Sequence, residues 1–139
     1  MHHAGGPHRV ERSRDVRLSL VATGQTADVL ADLMYTPEYR HDHPGPYHTL
    51  GDASMTDAAR RRHLRASNDH DAWDVLPAIG AETLILHGTE DRLAPYINAE
   101  LLQQRIPRAR LYPFQGARHA YFEECRPEAS DSAMTFLRD

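Results

Sequence analysis

Two short segments hold residues whose types and spacing could do chemistry. In Leu86-His87-Gly88-Thr89-Glu90-Asp91-Arg92-Leu93-Ala94-Pro95 an apolar run ends at a glycine, and an acid follows three residues later. In Gly116-Ala117-Arg118-His119 a histidine closes a glycine-started loop behind a second short apolar run. A carboxylate beside an imidazole fixes its tautomer and stabilises the imidazolium that forms when the ring takes a proton. Asp91 and His119 could therefore be the base and its orienting acid, two of the three members of a nucleophilic triad. Each also has a plainer use: Asp91 as a turn or helix-capping acid, His119 as a loop histidine bonded to backbone.

Meeting requires two parallel strands. Thr83-Leu84-Ile85-Leu86-His87, closed by Gly88, has the composition of a strand buried on both faces. Pro95 suits the first turn of a helix, and Ile97, Leu101, Leu102 and Ile106 give that helix an apolar stripe ended by Pro107. Residues 110–114 read as a second strand, whose internal Pro113 marks an edge or an end. Pro127 opens a last helix with Ala129, Ala133, Phe136 and Leu137 on one face. Strand, helix, strand implies a parallel pair with a right-handed crossover, which puts both loops at the carboxyl ends of adjacent strands.

The first half is less regular. Residues 1–14 predict a disordered lead-in. Residues 16–22 alternate apolar and polar before turning apolar, and predict a third parallel strand within a core segment 15–24. Ala27, Val29, Leu30, Leu33 and Met34 predict a short amphipathic helix interrupted near Pro37. Residues 39–54, rich in His, Pro, Gly and Asp, read as a loop. Thr56 or Asp57 can cap a helix through Arg60-Arg61-Arg62-His63-Leu64, and residues 71–76 suggest a helical turn stopped by Pro77. Residues 25–77 are thus suited to a helical lid over a core formed by residues 78–139.

Around this pair the sequence resembles the α/β-hydrolase superfamily, in particular its lactonase- and esterase-like members. Residues 81–95 and 108–124 are similar to the last two strands of that fold, with its G-x-x-D acid loop and its histidine after the final strand. Residues 71–77 resemble the junction between cap and core, and residues 14–20 the strand entering the cap. Arg118 departs from the G-x-G-H that often precedes the histidine. No G-x-S-x-G elbow occurs in these 139 residues, since Gly51-Asp52-Ala53-Ser54-Met55 lacks the spacing.

The resemblance implies a partial α/β-hydrolase fold of about three parallel strands (16–22, 83–87, 110–114) with flanking helices and a helical cap. It implies Asp91 as triad acid, His119 as triad base, a small ester, lactone or related carbonyl substrate, and no cofactor. It further implies a truncated or split hydrolase with little activity alone. Two other expectations stand beside it. The chain could be a non-catalytic partner, docking a complementary chain that carries the nucleophile or self-associating, or it could be the relic of a shortened gene.

The remaining candidates have bland readings. His87 is expected to pack under the acid loop, Glu90 and Arg118 to be solvated, and Trp73 to anchor the cap junction. The Arg60–Arg62 triplet reads as a solvated helix face. His41, His43 and His48 fit no strong metal-ligand template, so no metal site is expected. Cys125, the one cysteine, follows the histidine without an elbow around it and reads as an ordinary thiol. With no second cysteine there is no intrachain disulfide, which fits a reducing cytoplasm. Sixteen Lys and Arg against twenty Asp and Glu give a net charge of −4 with interspersed signs, which offers no footprint for nucleic acid or anionic membrane. No apolar run is long enough to span a bilayer.

Overall fold

The computed structural model describes residues 5–21, 27–47 and 55–138. Residues 5–13 are not a free lead-in. Gly5 bridges Asp71 in antiparallel sense, and the Gly6 amide donates to the His70 carbonyl at 3.1 Å. His8 stacks on Trp73 with ring centroids 4.3 Å apart. The Val10 backbone is read on both sides by the buried Asn98 side chain, which accepts from its amide at 2.8 Å and donates to its carbonyl at 2.9 Å. An amide buried in a helix must satisfy both ends, and the incoming chain supplies both partners.

The strand expected over residues 16–22 is a helix, α1 (Arg14–Val21). Val16 and Leu20 alternate with Leu18 in sequence, yet four residues apart they also share one helical face. Val16 is buried while Leu18 is 57% exposed, as a helix dictates and a two-sided core strand would not. In so short an apolar run, periodicity does not separate the two choices, and packing against the next helix decides. Residue 22 and the expected strand end at Thr23-Gly24 lie outside the described residues.

Next come α2 (Ala27–Met34) and α3 (Pro37–Asp42). Pro37 opens α3 and does not merely end α2: Thr36 caps it, its hydroxyl accepting from the Tyr39 amide at 3.2 Å. The loop expected over 39–54 is therefore helical as far as Asp42; residues 48–54 lie outside the described residues. The helix α4 (Asp57–Asp69) starts at the Thr56 cap as its sequence predicts. A 3₁₀ turn, Trp73–Ala78, leads into the core and includes Pro77.

The core is a parallel pair, β1 (Thr83–Gly88) and β2 (Ala109–Phe114), in register from Thr83↔Ala109 to Gly88↔Phe114. The helix α5 (Ile97–Arg105) makes the crossover; α6 (Tyr121–Glu124) and α7 (Arg126–Arg138) close the chain. Among the described residues the sheet has two strands, not three. Its faces carry separate clusters. Leu76, Ile106, Leu102 and Ala109 pack with Trp73 on the α5 side, and Phe114, Ala117 and Ala129 pack with Leu86, Tyr121 and Cys125 on the α7 side. Both faces of β1 thus receive a helix, which accounts for its unbroken apolar run.

Candidate active site

The loops after β1 and β2 are laced together by backbone bonds. The Thr89 amide donates to the Phe114 carbonyl at 3.0 Å and the Glu90 amide to the Ala117 carbonyl at 3.0 Å. The Gly116 amide donates to the Thr89 hydroxyl at 2.9 Å. Gly88 is required by this closeness: a Cβ there would lie 2.4 Å from the carbonyl oxygens of both Ala117 and Arg118. Gly116 turns the second loop at φ +74°, where a side chain would be strained.

Lacing of this kind brings Asp91 and His119 together. Oδ2 of Asp91 lies 2.7 Å from Nδ1 of His119, 28 residues on in the chain. Oδ1 of the same carboxylate accepts from the Leu93 and Ala94 amides, each at 2.8 Å. Asp91 therefore caps its own turn with one oxygen and meets the imidazole with the other. Burial by itself opposes ionisation of this carboxyl. The bonds from His119 and His87, the charge of His119 and the Ala94 amide outweigh that, and hold it well below the usual carboxylate range. An ionised carboxylate only accepts, so Nδ1 of His119 carries the proton. In the neutral ring that leaves Nε2 as the proton acceptor.

His87, buried at the end of β1, lies under the acid. Its Nε2 donates to the Ala94 carbonyl at 2.8 Å and stands 3.3 Å from Oδ2 of Asp91. The expected packing role is present, and with it a polar contact to the acid. The i, i+4 spacing of a buried histidine and an acid across a strand end was the available signal. Tyr121, stacked on Phe114 with centroids 4.9 Å apart, has its hydroxyl pushed up by burial and by the Asp91 charge.

Arg118 is not solvated. Its guanidinium donates to the Asp32 backbone carbonyl, to Oδ1 of Asp32 at 3.0 Å and to the Tyr35 carbonyl at 3.1 Å, so that it joins the second loop to α2. Glu90 is exposed, as are Arg61 and Arg62. Trp73 packs against the Leu76–Ile106 cluster, under Arg105 at 5.1 Å. His43 stacks on Tyr39 and donates to its carbonyl at 3.1 Å; His48 lies outside the described residues. Burial pushes the Cys125 thiol up, further from a thiolate. Among the described residues no group of three or more His, Cys, Asp or Glu could hold a metal ion, and no helix is long and apolar enough to cross a membrane.

Comparison with known proteins points to one fold. No family model matches the chain. Over 60 residues it is 43% identical to the AB hydrolase superfamily protein YisY of Bacillus subtilis, covering 42% of this chain and 22% of that protein. The enol-lactonase from Burkholderia xenovorans LB400 superposes with a TM-score of 0.74 at 20% identity, covering 89% of this chain and 48% of that one. An esterase from Exiguobacterium antarcticum superposes with a TM-score of 0.70 at 21% identity, covering 89% and 46%. The chain spans about half the length of these solved structures and about a fifth of the curated relative.

Proposed function

From an α/β-hydrolase fold spanning about half of its solved neighbours, we propose that this chain supplies the acid and the base of a hydrolase for small esters, lactones or related carbonyl compounds. Asp91 is the acid, His119 the base, and a serine outside these 139 residues the nucleophile. The observation that carries this is the 2.7 Å contact between Oδ2 of Asp91 and Nδ1 of His119 at the carboxyl ends of adjacent parallel strands. Open α/β folds place their sites at such a rim.

In the reaction, Nε2 of His119 takes the serine proton as the serine oxygen attacks the carbonyl carbon. The tetrahedral adduct collapses by breaking the bond to the leaving alkoxide, which receives that proton. Water then repeats the sequence on the acyl-serine, releasing acid and restoring the serine. Asp91 keeps the imidazole oriented and stabilises its charged form throughout.

A second observation supports a partner for the nucleophile. The Thr83 and Thr89 amides donate to β2, so the N–H and C=O groups of Leu84 and Leu86 point to the outer edge of β1. Leu84, Ile85 and Leu86 are each only half-buried. A parallel strand from the nucleophile-bearing polypeptide, in the same or a separate chain, would pair that edge and cover them.

Hydrolysis of p-nitrophenyl acetate tests the reading. The 139-residue chain alone is expected to turn over at background, and the chain joined to or mixed with the polypeptide encoded immediately upstream at an enzymatic rate. His119→Ala should lower that rate by roughly 10³–10⁴-fold. Full turnover in His119→Ala would remove the role assigned to that residue.

A further inference from the structure

Asp32, on α2 in the cap segment, was marked by no motif, yet it stands where the two loops of the site converge. Arg92 follows Asp91 in the chain and Arg118 precedes His119. Each reaches a different oxygen of the Asp32 carboxylate: Arg118 contacts Oδ1 at 3.0 Å, and Arg92 contacts Oδ2 at 3.3 Å. Arg118 is further fixed by the Asp32 and Tyr35 carbonyls and is only 16% exposed. Beyond His119, the Ala120 amide donates to the Met34 carbonyl at 2.8 Å, again on this segment. The Tyr35 hydroxyl donates to Glu123 at 2.6 Å, and the Thr36 amide donates to Glu124.

We propose that Asp32 is a positioning residue. Its carboxylate bridges the arginines adjoining Asp91 and His119, and so fixes the separation at which acid and imidazole meet. The chemistry follows from charge. Two guanidiniums converge on this one carboxylate, and without it they repel, although Arg92 also contacts Asp15 at 3.2 Å. Because they adjoin the acid and the base in sequence, that repulsion acts on the Asp91–His119 contact. A planar carboxylate, with one oxygen for each partner, cancels the repulsion and sets the spacing by its own width. Arg40, whose guanidinium comes within 3.8 Å of Oδ1 of Asp32 and 3.5 Å of Asp28, steadies the carboxylate from α3. Exposed ion pairs contribute little to stability, so the expected effect is on geometry more than on folding.

The functional consequence rests on Asp91 and His119 being the acid and base proposed above, and the experiment separates the two ideas. In the full chain labelled with ¹⁵N-histidine, the Nδ1 proton of His119 should give a low-field resonance that His119→Gln removes. Asp32→Asn keeps the side-chain shape but drops the charge. It should shift that resonance upfield or broaden it away while the fluorescence of Trp73, which packs in the Leu76–Ile106 cluster, stays native. Asp32→Glu should restore the resonance at least in part. An unchanged resonance in Asp32→Asn overturns the positioning role and leaves the acid–base pair intact. A wild-type chain without the resonance sinks the pair itself. Should Asp32→Asn also lose the native Trp73 signal, Arg92→Gln decides: it removes one arm of the bridge, and a resonance unmoved by it overturns the proposal.

Discussion

His87 and Asp91 face each other across the end of β1, with Nε2 of the imidazole 3.3 Å from Oδ2 of the carboxylate. The same nitrogen donates to the Ala94 carbonyl at 2.8 Å. One buried ring therefore holds both ends of the turn that presents the acid. Replacing it with an apolar residue of similar size, His87→Leu, leaves the Ala94 carbonyl without this donor. A loss of about 1–3 kcal/mol in urea unfolding is expected. A variant as stable as wild type would show that the ring only fills space.

Acid stability reports on Asp91. Its carboxyl is held below the usual carboxylate range, first against burial and then by its bonds to His119, His87 and the Ala94 amide. Such a group contributes stability that is fully present above about pH 4, the ordinary value for aspartate, and lost as pH falls through the folded-state value. Asp91→Asn lacks this contribution. The stability gap between wild type and variant should be on the order of 2–3 kcal/mol near neutrality and shrink steadily below about pH 4. Urea unfolding across that range measures it; a gap independent of pH would refute the shift.

Gly88 tests how tightly the loops are laced. A methyl group at that position would meet the Ala117 and Arg118 carbonyl oxygens at 2.4 Å, and both belong to backbone. Gly88→Ala should cost about 1–3 kcal/mol as the second loop is pushed away, and should weaken the low-field His119 proton with it. Gly80→Ala, where a Cβ meets nothing within 4 Å, is the control and should leave that proton unchanged.

Phe114 ends β2 and is 2% exposed, packed with Ala117 and Ala129 and stacked on Tyr121. Phe114→Ala should cost about 3–5 kcal/mol by thermal or urea unfolding. A cost below about 1 kcal/mol would mean that the cluster on the α7 face does not carry the stability of this half.

Much of the second half was legible because local signals there agree with the tertiary outcome. An unbroken apolar run closed by Gly88, a proline-started helix and a second short strand leave one economical arrangement, a parallel pair with its loops at one rim. Asp91 and His119 could be picked out as candidates because such a rim brings their two loops together. The first half was less legible. In residues 16–22 the alternation of Val16, Leu18 and Leu20 fits a strand and a helix equally, and neither periodicity nor composition says which neighbour the buried face will find.

The sequence by itself marked Asp91 and His119 as candidates and predicted the two parallel strands that present their loops, since strands and crossover depend on local pattern and handedness. Tertiary structure alone decided three things: that residues 14–21 are helical, that Asn98 receives the incoming chain, and that Arg118 turns from solvent to Asp32. Each depends on contacts between groups far apart in the chain. Asp32 and Arg118 are separated by 86 positions, and no local pattern encodes a pairing at that distance.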